Sequence, residues 1–209
     1  MLESAEVLCH SAIKINRGMI IYIDPFKINQ DFNDADLIFI THSHFDHYSE
    51  EDILKVKKQN TKIILTNDIV DNAMNLGFDK DDILVVEPNK EYEIDNIKFS
   101  TIPAYNINKQ FHPRANNWVG YIIDLDKTKY YIAGDTDITE ENKKVKCDVA
   151  FIPIGGTYTV TYTEAAELIN IIRPKIVVPI HYGDIVGNKQ DAIEFEKLLD
   201  KNIQCKIMI

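Results

Sequence analysis

Cysteine is scarce: Cys9, Cys147 and Cys205 are the only three in 209 residues. Odd in number, scattered and in no CxxC pair, they exclude a disulfide framework and fit buried or free thiols in a reducing compartment. Arginine is equally rare. With only Arg17, Arg114 and Arg173, bidentate phosphate forks are few. Lys plus Arg number 23 against 33 Asp plus Glu, a formal charge of −10 that repels polyanions on average. Nucleic acid is therefore a disfavoured partner, although a local basic patch would override the average. Long hydrophobic runs are missing too. Met19–Ile23 and Ile176–Ile180 fall far short of the ~20 residues a spanning helix needs. The opening MLESAEVLCH has two glutamates and no basic stretch ahead of an apolar run, so no signal peptide and no membrane segment are expected, and the location is read as cytoplasmic. What is present is ordinary globular composition, 45% hydrophobic and 27% charged. The length suits one compact domain over residues 1–209, with a core that needs no staples.

Strand signals fill the first quarter. Glu6–Ile15 reads as a strand, Asn16-Arg17-Gly18 as a turn and Met19–Ile23 as its hairpin partner, closed by Asp24-Pro25. Leu37–Thr41 is a continuous apolar run of the kind found in strands buried on both faces. Ser49, with Asp52 three residues on, opens a helix with a capping-box pattern. Further on, Lys62–Thr66 and Ile83–Val86 read as strands around a helix at Asn67–Leu76. Hairpins are expected at Lys90–Asp95 with Ile97–Pro103 and at Trp118–Leu125 with Lys129–Ala133. The last third alternates strand Asp148–Ile152, helix Thr163–Ile172 capped by Thr163, strand Lys175–Ile180, helix Lys189–Leu199 and strand Gln204–Met208. Two sheet-rich halves, each with helices needing an apolar face to cover, make a four-layer αββα sandwich of the α/β class plausible.

The chemistry concentrates in Thr41-His42-Ser43-His44-Phe45-Asp46-His47, directly after the buried run. It holds three of the six histidines and a carboxylate. On extended backbone, residues i and i+2 project alike, so His42 and His44 can face one point. Asp46 and His47 sit where the chain turns and can reach a second point beside it. Imidazole with carboxylate and no sulfur suits Zn, Mn or Fe. Further ligands are available at two later strand ends, Asp135 after Gly134 and His181 after Ile180. Taken singly, Asp135 also reads as a turn acid or cap and His181 as a satisfied core histidine.

The run His42-x-His44-x-Asp46-His47, with the Gly134-Asp135 and Ile180-His181 strand ends, resembles the metallo-β-lactamase superfamily over nearly the whole chain. Cys9-His10-Ser11, Ile23-Asp24-Pro25-Phe26, Pro153–Tyr158 and His181-Tyr182-Gly183 look most like its small stand-alone metal-dependent hydrolases related to bacterial ascorbate-phosphate lactonases. The resemblance implies a metallo-β-lactamase-like αββα fold. It also implies His42 and His44 at a first metal position, Asp46, His47 and His181 at a second, and a bridging Asp135. One position departs from it. The family usually ends a mid-chain strand in a third first-site histidine, whereas Phe99–Tyr105 here runs into Asn106. His112, on the loop that follows, either replaces that ligand or faces the substrate.

The expected activity is metal-assisted hydrolysis of a small molecule, of lactone or phosphorylated type, with one or two zinc ions and with Mn or Fe as alternatives. A bound divalent ion lowers the pKa of water from 15.7 toward about 7 and polarises the bond under attack. Asp46 and His112 are the candidate catalytic residues, Asp46 as a ligand that also takes the proton, as the resemblance suggests. Asp24 is a candidate outer partner for a ligand histidine. Arg114, His10, Thr157 and Tyr158 are candidate substrate contacts, and Lys109 joins Arg114 as a possible anion holder on the long polar loop of residues 106–117. Rival readings are a nuclease of the same superfamily and a metal-binding sensor or redox module without hydrolase activity. A homo-oligomer is expected from the resemblance alone.

Overall fold

A computed structural model describes residues 2–209. The chain divides into two compact units, Leu2–Glu87 and Pro88–Ile209, each built on its own sheet.

The N-terminal unit carries β1 (Ala5–Cys9), β2 (Ala12–Asn16), β3 (Ile20–Ile23), β4 (Ala35–Phe39), β5 (Lys57–Thr66) and β6 (Ile83–Val86), in chain order across the sheet. The β1–β2 and β2–β3 pairs are antiparallel, and the rest are parallel. Helices α1 (Glu50–Val56) and α2 (Val70–Asn75) contribute Ile53, Val56 and Ala73 to a core with Tyr22, Ile38, Ile40, Ile63 and Leu65. Burying one such aliphatic side chain is worth about 1.5–3 kcal/mol.

The C-terminal unit repeats the plan, again with its strands in chain order across the sheet. Strands β7 (Glu91–Ile94), β8 (Ile97–Pro103), β9 (Val119–Leu125) and β10 (Thr128–Ile132) form an antiparallel meander. Strands β11 (Val149–Pro153), β12 (Ile176–Ile180) and β13 (Gln204–Cys205) then add in parallel. Helices α3 (Tyr162–Ile172) and α4 (Lys189–Lys197) cover Ala150, Ile152 and Val177 with Ala165, Leu168, Ile169, Ile172 and Phe195.

The structure corrects several local readings. The stretch read as one strand, Glu6–Ile15, is a hairpin, because Cys9 pairs with Ala12 and leaves His10 and Ser11 as its turn. No glycine or asparagine marks that turn; His10 itself takes the left-handed backbone, at φ +52°. Helix α3 is capped by Thr161, not Thr163: the Thr161 hydroxyl accepts from the Glu164 amide, and the Glu164 side chain accepts from the Thr161 amide. The helix read over Asn67–Leu76 opens as a 3-10 turn over Asn67–Ile69, β5 starts at Lys57, and the last strand is only Gln204–Cys205.

Helix α1 is tied to the loop after β3 through Asp52. Its carboxylate accepts from the backbone N–H groups of Lys27 and Ile28, the Ser49 hydroxyl and the Lys55 ammonium. Burial pushes this carboxyl up, but the hydrogen bonds from Ser49, Lys55, Ile28 and Lys27 outweigh it and hold the group below its usual range. A depressed folded value means the unfolded chain takes the proton first. The stabilisation is therefore complete above the unfolded carboxylate range, near ~3.9, and is lost as pH falls through the folded value. Asp52→Asn should flatten the fall of the urea midpoint between pH 7 and pH 3; parallel falls in wild type and variant would refute this role.

Candidate functional site

Chemistry gathers where strands end. In the N-terminal unit β3 and β4 are parallel with Ile23 opposite Phe39, so the chain leaves both at one edge, the usual place for sites on parallel strands. Asp24 follows β3 at φ +45° and donates its N–H to the Phe39 carbonyl at 2.9 Å. Its carboxylate, 1% exposed, accepts from the Thr41 amide (2.8 Å), the Thr41 hydroxyl (2.7 Å) and His47 Nδ1 (2.7 Å). The third contact fixes a tautomer. A carboxylate can only accept, so His47 carries its proton on Nδ1 and turns Nε2 toward Asp46 Oδ2, 3.8 Å away.

His42 and His44 meet as the i, i+2 spacing predicts, with Nε2 of one 3.1 Å from Nδ1 of the other. The His47 ring packs 4.0 Å from the His42 ring. From the β1–β2 turn, His10 is buried and brings Nε2 to 3.3 Å from Asp46 Oδ2. Five of the predicted site residues thus converge within this unit alone.

In the C-terminal unit, Gly134 at φ +65° turns the chain after β10 and presents Asp135. His181, at φ +58°, comes immediately after β12. Left-handed backbone at His10, Asp24 and His181 costs of order 1–3 kcal/mol at each, and such strain concentrates at functional sites. Two imidazoles flank one carboxylate oxygen: His181 Nε2 is 3.0 Å and His112 Nε2 3.2 Å from Asp135 Oδ2. Strand β8 runs in the same direction as β10, since β9 is antiparallel to both, and so delivers Asn106 to the same edge. Asn106 Oδ1 accepts from the His112 amide (3.1 Å) and from His112 Nδ1 (3.1 Å), while Nδ2 donates to the Tyr158 carbonyl (2.9 Å). His112 is 1% exposed.

The other predicted contacts are placed differently. Arg114 is exposed, donates to Glu141 at 2.7 Å and lies 4.9 Å over the Tyr105 ring. Lys109 is paired with Asp137, which also accepts from the Ile107 amide. Thr157 is exposed; the half-buried Tyr158 sets its ring edge-on to Phe111 at 4.7 Å. Sequence reasoning missed Thr41 and the contacts of Asn106, which stood out only as the position where a family histidine is absent. A hydroxyl directly before the histidine run was the one available signal for Thr41.

These donor sets fit a divalent ion. Zinc–nitrogen bonds of about 2.0–2.1 Å put neighbouring tetrahedral ligand atoms roughly 3.3 Å apart. The spacings of 3.1 and 3.3 Å in the N-terminal unit, and of 3.0 and 3.2 Å in the C-terminal one, match that value. The set holds nitrogen and oxygen only, with acceptor oxygens on the far ring nitrogens of His47 and His112, as ligand histidines require.

Comparison with known proteins agrees. The family model described as the beta-lactamase superfamily domain matches residues 6–181. The chain belongs to the metallo-β-lactamase superfamily. Its fold class is accordingly the α/β metallo-β-lactamase-like one read from the sequence. A protein of Thermococcus onnurineus named UPF0173 metal-dependent hydrolase is 31% identical, over 96% of this chain and 94% of that protein. One of Pyrococcus horikoshii with the same designation is 30% identical, over 99% and 96%. A crystal structure from Parabacteroides distasonis superposes with a TM-score of 0.81 at 30% identity, covering 98% of this chain and 91% of the other. Among the described residues, no helix is long and apolar enough to cross a membrane.

Gly155 is required by close approach to a site residue. A Cβ there would lie 2.5 Å from both the His181 carbonyl oxygen and Val186 Cγ2, and 3.2 Å from His181 Nδ1. Gly155→Ala should destabilise the protein by about 1–3 kcal/mol in urea unfolding. Wild-type stability would mean that the His181 loop yields without strain.

Proposed function

We propose that the protein is a metal-dependent hydrolase of small molecules, with His42, His44, Asp46, His47, Asp135 and His181 as its metal ligands and zinc as the ion. The observation that carries this reading is the ligand-distance spacing of His42 Nε2 and His44 Nδ1 in the N-terminal unit and of His181 Nε2 and Asp135 Oδ2 in the C-terminal one. The names borne by the relatives of Thermococcus and Pyrococcus, which match along nearly their whole length, support it. When bound, a divalent ion supplies an acidified water and polarises the bond under attack.

The chain's own residues do the rest. Asp24 holds His47 in one tautomer and ties it to the β4 end through Thr41. Asp46, buried beside His10 and His47, is in position to take a proton released by an attacking water. Both cations of the 106–117 loop are engaged by carboxylates, Lys109 by Asp137 and Arg114 by Glu141. That favours an uncharged substrate such as a lactone over a phosphorylated one, since an anion would have to displace those partners.

Elemental analysis of protein purified without chelator, followed by assays on a lactone and a phosphoester panel, tests the reading. Wild type should carry one to two metal equivalents and lose hydrolysis to chelator. His44→Ala, a half-buried position, should fold normally while metal affinity falls more than about 100-fold. Unchanged metal content in that variant would remove His44 from the ligand set, and a metal-free wild type that cannot be reloaded would overturn the proposal.

A further inference from the structure

Asn106 and His112 form an arrangement whose protons can be assigned from the heavy atoms alone. The Tyr158 carbonyl can only accept and the His112 backbone amide can only donate, so the Asn106 side chain has one orientation, with Nδ2 toward Tyr158 and Oδ1 toward His112. The same Oδ1 faces His112 Nδ1 at 3.1 Å, so that nitrogen must carry a proton. With Nδ1 engaged by the amide oxygen, Nε2 is the ring nitrogen left to face Asp135 Oδ2, 3.2 Å away, close to the spacing of neighbouring ligand atoms around one ion.

We propose that Asn106 is a positioning residue that makes the loop-borne His112 a metal ligand through Nε2. The inference rests on the metal-dependent reading above. One further hydrogen bond and one ring contact explain why a loop residue can be held to ligand precision. The Asn106 amide donates to the His112 carbonyl at 2.8 Å, closing the loop on itself, and the Trp118 ring packs edge-on to the imidazole with centroids 5.6 Å apart. Asn106 also joins this loop to the segment bearing Tyr158, so one amide fixes the tautomer, the place and the neighbour of His112 together.

The test is a double-mutant cycle read by zinc affinity in chelator competition, with the melting temperature of the metal-free protein as a folding control. Asn106→Ala should weaken zinc binding about 10–100-fold. His112→Ala should weaken it at least as much, and Asn106→Ala added to His112→Ala should cost nothing further, because the two act as one unit. Asn106→Asp keeps the acceptor for Nδ1–H and should restore most of the affinity. Long-range 1H–15N spectra of the zinc-loaded wild type should find His112 protonated on Nδ1, which decides the matter even if Asn106→Ala fails to fold. A proton on Nε2, or additive losses in the cycle, would overturn the role of Asn106. Wild-type affinity in both single variants would overturn it together with His112 as a ligand, while leaving the hydrolase reading intact. Absence of zinc binding by the wild type would instead overturn the hydrolase reading.

Discussion

An imidazole has two nitrogens, and a site that uses one of them must dispose of the other. This protein does so twice with an oxygen that can only accept. The Asp24 carboxylate holds Nδ1 of His47, and the Asn106 amide oxygen holds Nδ1 of His112. In each case the remaining nitrogen faces a carboxylate, Asp46 or Asp135. The polarity of both clusters, and with it their fitness for a cation rather than for a ring of internal hydrogen bonds, follows from those two anchors.

The anchors in turn require strand ends held in register. Asp24 can accept from Thr41 because β3 and β4 are parallel neighbours whose ends leave one edge together. His181 and Asp135 meet because β10, β11 and β12 run in parallel and the outer two of the three, β10 and β12, break off shortly before their ligands. The breaks are abrupt. Left-handed backbone at His10, Asp24 and His181 is unfavourable for residues with a Cβ, and it persists because buried hydrogen bonds and packing over-determine these positions. Helices α1, α3 and α4 take no direct part; they supply the apolar cover that keeps the sheets, and so the strand ends, fixed.

In the loop of residues 106–117 both cations have a carboxylate partner. Lys109 and Arg114 are its cations and look available to an anionic ligand. Each instead has an acid within its own unit, Asp137 and Glu141, lying 28 and 27 residues further along the chain. Neutralised in this way, the loop matches a protein whose net charge is −10 and whose arginines number three.

Much of the fold was legible because its signals are local. Alternation, apolar runs and turn residues mark the meander of β7 to β10 and the parallel strands β11 and β12 nearly where they lie. The hairpin at His10 was not legible, because a histidine takes the positive φ that glycine or asparagine usually announces. The capping threonine was misplaced by two residues for a related reason. Thr161 and Thr163 are both hydroxyl residues near the helix start, and only the reciprocal bond to Glu164 distinguishes them.

The sequence by itself determined the kind of chemistry: nitrogen and oxygen ligands without sulfur, packed in six residues after a buried strand and repeated singly at later strand ends. Those properties depend on residue type and on spacing along the backbone, both of which are one-dimensional. Only the tertiary structure decided which atom of each histidine faces the cluster, because that depends on acceptors 23 residues away for His47 and on a side chain itself fixed from 52 residues away for His112. Tautomers are set by partners in space, and Asn106 became a positioning group only when the fold brought His112 and Tyr158 to opposite ends of its amide.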